Sequence, residues 1–108
     1  MTVGELSKAL DLTPFSAADT ERTVSGGYVG DLLSWVMGRA GADQAWITIM
    51  SNQNIVAVAT LTDVSVIILA EGVSPDDGVA EIAAGRGINL YGSKLPAFEL
   101  ATRIGSLI

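Results

Sequence analysis

The stretch Trp46 to Tyr91 reads WITIMSNQNIVAVATLTDVSVIILAEGVSPDDGVAEIAAGRGINLY, and its alternation of short apolar runs with longer mixed segments decides the fold. Trp46–Met50 is rich in β-branched and aromatic side chains, Val66–Ala70 is an unbroken apolar run, and Ile88–Tyr91 resumes the pattern, so three strands are expected. Between the first two, Ile55–Val64 is apolar nearly all round. Its length, its Ala57, Ala59 and Thr60, and Asn54 as a candidate cap predict a buried crossover helix. Pro75–Ala84 predicts a second helix: Ser74 before Pro75 has the form of a hydroxyl cap with proline at the first helical position. Asp76, Asp77 and Glu81 then lie where the helix dipole favours carboxylates, and Gly85 and Gly87 close the helix. Pro96–Ile104 supplies a third. Strand and helix alternating through short loops predict right-handed crossovers and an α/β fold, a three-layer α/β/α sandwich with a mainly parallel sheet.

Upstream of this stretch, Leu32–Arg39 carries apolar residues at 32, 33, 36 and 37 and predicts a short amphipathic helix, with Asp31 or Ser34 as its N-cap. Arg22–Val24 and Tyr28–Val29 flank Ser25-Gly26-Gly27, where paired glycines predict a turn or bulge. Thr2 and Glu5 have the spacing of a capping box, so a first helix is expected to run to about Asp11. Leu12–Glu21, with Pro14, reads as an exposed connection containing a short edge strand around Thr13–Phe15.

Composition narrows the function classes. At 108 residues the chain has the length of one domain, and 49% hydrophobic residues against 17% charged ones exclude a disordered chain. So little polar surface predicts that a second copy covers one face, a homodimer. Six basic residues, scattered singly against twelve acidic ones, give a net charge of −6 and argue against nucleic acid or an anionic membrane as partner. No Cys and no His are present, which removes disulfides, thiolate metal sites and most hydrolytic triads. With no long apolar segment or leader pattern, the expected location is cytoplasmic.

The candidate binding residues lie where strands are expected to end. Ser51-Asn52-Gln53-Asn54 follows one strand and opens a helix, where ligands of open α/β sheets bind; the same residues also suit a polar turn with left-handed and capping Asn positions. Asp31 and Ser34 either hydrogen-bond a ligand at the same edge or cap their helix. Lys94, after the Ile88–Tyr91 strand, either meets a phosphate or sits in a solvated loop. Ser25–Gly30 is not a phosphate-cradling P-loop, since no Lys follows it. Trp35 and Trp46 read as core or dimer-interface anchors, without the interleaved basic residues of a stacking platform.

The ordered segments GGYVGDLLSWVM, WIT, NIVAVA, VIIL, EGV and SKLPAFELATRI resemble the DRTGG domain family, which is related to the N-terminal domain of HPr kinase/phosphorylase. The resemblance spans roughly residues 20–105 and treats residues 1–108 as a single DRTGG-like domain. It implies an HPr kinase N-terminal-domain-like sandwich, found alone or joined to CBS, phosphotransacetylase-type or pyrophosphatase domains, acting as a regulatory or dimerising module. The family's turn after WIT usually reads Thr-His-x-Asn, whereas Ser51-Asn52-Gln53-Asn54 keeps the final Asn and lacks the His. Two functions are consistent with these readings: a non-enzymatic regulatory module acting on a partner enzyme, and a sensor binding a nucleotide or phosphorylated metabolite at Asp31, Ser34, Ser51, Asn52, Asn54 and Lys94. Neither reading calls for a cofactor or metal.

Overall fold

The computed structural model describes residues 1–108. Its elements are α1 (Val3–Leu10), β1 (Thr13–Ser16), β2 (Gly26–Val29), α2 (Leu33–Arg39), β3 (Gln44–Thr48), α3 (Asn54–Thr62), β4 (Val66–Leu69), α4 (Val79–Gly85), β5 (Leu90–Gly92) and α5 (Ala97–Leu107). They form one five-stranded sheet in the order β1-β5-β4-β3-β2. β2 through β5 run parallel, and β1 closes the far edge antiparallel to β5. The architecture is the α/β sandwich that the alternation predicts.

Each crossover from β2 to β5 advances one strand in the same direction. Crossovers of a single hand therefore place α2, α3 and α4 on one face, leaving α1 and α5 to cover the other. The pleat divides the core accordingly. Trp46, Ile67, Leu69 and Leu90 pack with Val36, Ile55, Val56, Ala59, Val79 and Ala83. Ala45, Ile47, Val66, Ile68 and Tyr91 pack with Val3, Leu6, Leu100 and Ile104. β4 is buried on both faces along its whole length, which explains why VIIL carries no polar alternation. Burying each such side chain is worth about 1.5–3 kcal/mol.

The Thr2–Glu5 capping box is present, and the edge strand near Thr13 forms as β1. Gly92 lets β1 seat its aromatic residue, because a Cβ there would lie 2.7 Å from the Phe15 ring. Three local readings are corrected. Gly26 and Gly27 make no turn: neither has a positive φ, and both lie in β2, paired with Gln44 and Ala45 of β3. Their missing side chains had suggested a reversal, but the Ser25 N–H bonds to the Asp43 carbonyl and the chain enters the sheet extended. Pro75 does not begin α4. The helix starts at Val79 after Gly78, whose φ of 85° belongs to an Asp-Gly turn, while Asp76 is drawn across to Ser51. The left-handed non-glycine positions are Asp11, Asp43, Asp63 and Glu71, and no Asn is among them.

Candidate functional site

The residues expected to bind lie along the C-terminal rim of the parallel strands, and their polar atoms mostly hold neighbouring loops together. Asp31 follows β2 and does not cap α2, whose N-cap is Leu32 without a side-chain bond. Its Oδ1 instead accepts from the Thr48 hydroxyl at 2.8 Å and from the Ile49 N–H at 2.9 Å, strapping the β2–α2 loop to the end of β3. Ser34 sits exposed in the first turn of α2. Ser51 donates its hydroxyl to Asp76 Oδ1 at 2.8 Å, and the Asp76 N–H returns a bond to the Ser51 carbonyl at 3.0 Å. Asn54 is the first residue of α3 and not its cap. The Asn52 carboxamide oxygen accepts from the Asn54 N–H at 2.9 Å in an Asx turn. A Ser–Asp pair without a third proton-relaying group lacks the parts of a hydrolytic triad.

Lys94 belongs to a different part of the rim. α4 returns on one face and α5 on the other, so the loops after β4 and β5 diverge, which is the switch point where open sheets offer a crevice. Here backbone bonds lace that crevice: the Glu71 N–H donates to the Leu95 carbonyl at 2.9 Å and the Gly72 N–H to the Ser93 carbonyl at 2.8 Å. Beside the lacing lies a hollow of about 170 Å³ lined by Phe15, Gly72, Val73, Ser74, Ser93 and Lys94. Lys94 also borders a larger, more polar hollow of about 470 Å³, together with Asp11, Thr13, Ser93 and Arg103. Asn54 faces neither. It lines a separate hollow of about 300 Å³ between α3 and α4 with Gln53, Ala57, Ile82 and Arg86. The six expected residues are therefore distributed among three places.

Trp46 takes the core role expected of it, and Trp35 lies at the surface. Trp46 is fully buried, and its indole N–H donates to the Gly30 carbonyl at 2.9 Å. Trp35 is 56% exposed on α2, with the Arg39 guanidinium 3.9 Å from its ring centroid. Leu32 and Met37 are exposed as well, on or at the start of α2, while the exposed Val29 at the end of β2 borders α5.

The sequence reading missed the opposite rim. Arg22 reaches the Asp63 carbonyl at 2.6 Å and its carboxylate at 3.0 Å, with Asp43 at 3.5 Å. Asn89, buried before β5, bonds both backbone groups of Asp19 and the Ser65 carbonyl. A lone Arg and a lone Asn gave no spacing signal; only tertiary pairing brings these partners together.

A crystal structure of the CBS and DRTGG domains of the regulatory region of Clostridium perfringens pyrophosphatase, complexed with its activator diadenosine tetraphosphate, shares this fold. The likeness has a TM-score of 0.75 at 13% identity and covers 94% of this chain. This chain spans 44% of the length of that one. No protein-family model matches the sequence, and no curated protein matches it. No helix is long and apolar enough to cross a membrane.

Proposed function

We propose that this chain is a non-enzymatic regulatory module of the DRTGG type, a single cytoplasmic domain that pairs with a second copy and acts on a partner protein. The observation that carries this reading is the exposed apolar surface at α2, where Leu32, Trp35 and Met37 face solvent. Scattered exposed apolar residues are ordinary, but a cluster centred on a tryptophan is the usual mark of a protein-contact surface. The shared fold with an enzyme's regulatory region supports the same conclusion. Affinity capture from the source cell extract tests it: wild-type bait retains a defined protein that Trp35→Glu bait releases. Equal recovery on both baits, or none on either, refutes contact through α2.

A second reading is supported by the diadenosine tetraphosphate in the similar structure and by the two hollows that Lys94 borders. As a sensor, the protein would take a phosphorylated ligand there. Diadenosine tetraphosphate at a hundred times its Kd then adds about 2.7 kcal/mol of apparent stability. The thermal shift disappears in Lys94→Ala; a shift that survives this substitution places the ligand elsewhere.

A further inference from the structure

The exposed side of α2 carries a charge pattern that fits a second copy of itself. At about 100° per residue, buried Val36 and half-buried Leu33 and Ala40 define the inward face. Trp35, Gly38 and Ser34 then point outward. Asp31 stands just before the helix and Arg39 at its last residue, with Trp35 midway. Neither charged group is used up within its own chain. Asp31 commits Oδ1 to Thr48 and Ile49, and no bond engages Oδ2. Arg39 lies over the Trp35 ring and pairs with no carboxylate; the ion pairs of the molecule involve Arg22 and Arg103.

We infer that two copies dock through α2, the helices running antiparallel about a two-fold axis beside Trp35, with Asp31 of each copy facing Arg39 of the other. The inference rests on the pairing assigned above and specifies its surface. A two-fold axis makes any contact reciprocal, so a helix with an acid at one end and a base at the other is complementary to its own antiparallel image. The helix dipoles also oppose each other in that arrangement. Gly38 permits close approach, since the space around its missing Cβ is empty. Leu61, though more exposed, stands alone on α3, and Phe98 lies at the opposite end of α5 from the exposed Leu107 and Ile108. A stable interface takes about 800 Å² from each partner, more than a helix about 10 Å long supplies. Leu32 and Met37 flank the contact, and the resulting dimer dissociates on dilution.

The absence of cysteine makes the test clean, because every introduced thiol reports one position. Under mild oxidation, Ser34→Cys, whose two copies lie close together across the axis, gives a disulfide dimer, while Leu61→Cys and Phe98→Cys do not. In sedimentation equilibrium, Trp35→Glu raises the dimer Kd about thirtyfold or more, the loss expected of a central tryptophan. Arg39→Glu, which sets like charges opposite each other, raises it about tenfold, and Arg39→Lys raises it less. Circular dichroism of both charge variants verifies that they fold. A dimer whose Kd is unmoved by Trp35→Glu, or that cross-links through Phe98 or Leu61, overturns docking through α2 and leaves the regulatory reading standing. A chain that stays monomeric at millimolar concentration overturns self-pairing altogether, and partner capture then decides the regulatory reading alone.

Discussion

The two rims of the parallel sheet solve the same problem with different means. Beyond each strand end, backbone groups leave the ladder and require other partners. At the N-terminal rim they find side chains from distant sequence: Asn89 reaches Asp19 and Ser65, Arg22 reaches Asp43 and Asp63, and Ser65 donates to the Thr23 carbonyl. At the C-terminal rim the ties join successive loops, as in Asp31 to Thr48 and Ser51 to Asp76. A rim centred on the buried Asn89 and Ser65 is scaffold. A rim closed by exposed ties has loops that can shift, which suits contact with a ligand or protein.

The sharpest way to break this contrast is Asn89→Ala. It removes three hydrogen bonds and leaves the Asp19 backbone and the Ser65 carbonyl short of partners, so a loss of about 2–4 kcal/mol is expected in urea denaturation. At the other rim, Asp31→Ala frees the buried Thr48 hydroxyl and the Ile49 N–H, the latter near enough to solvent for water to replace the carboxylate. The expected loss is about 1–2 kcal/mol, with faster amide exchange confined to residues 30–33 and 48–51. If Asp31→Ala costs as much as Asn89→Ala, or if its exchange effects spread to the N-terminal rim, the two rims do not differ in kind.

The same contrast explains what could be read from the sequence. The strands and α3 were legible because burial on both faces of β4, and around α3, writes long apolar runs into the chain. The capping box was legible because its two partners stand three residues apart. Gly26-Gly27 misled because two glycines signal a turn only when the backbone needs positive φ, and β2 does not. Asp31 and Asp76 misled similarly: local propensity assigned both to helix starts, whereas Thr48 and Ser51 hold them by tertiary hydrogen bonds. The residues of the C-terminal rim could be chosen from the sequence because strand ends are predictable. Asn54 and Lys94 line separate hollows because the loops after β4 and β5 diverge between α4 and α5, which no local pattern records.

The smallest expected effect concerns the one carboxylate whose titration the structure clearly moves. The Thr2 N–H donates to Glu5 Oε1 at 2.9 Å and, with the Thr2 side chain, holds the Glu5 carboxyl below its usual pKa of 4.5. This capping box belongs to the N-terminal rim, because Val3 and Gly4 bond the carbonyls of Arg22 and Thr20, and Val24 bonds that of Met1. A carboxyl with a lowered folded-state pKa contributes stability that is present above its unfolded value and lost as pH falls through the folded one. Well above about 4.5, Glu5 therefore adds nothing to the slope of stability with pH, and as pH falls toward and below that value its contribution declines. Glu5→Gln keeps an acceptor but cannot titrate, so its stability curve should be flatter than wild type only on the acid side. Amide exchange of Val3, Gly4 and Val24 should quicken there in wild type. If exchange at Val3, Gly4 and Val24 stays unchanged on the acid side, the capping box does not hold the N-terminal rim together.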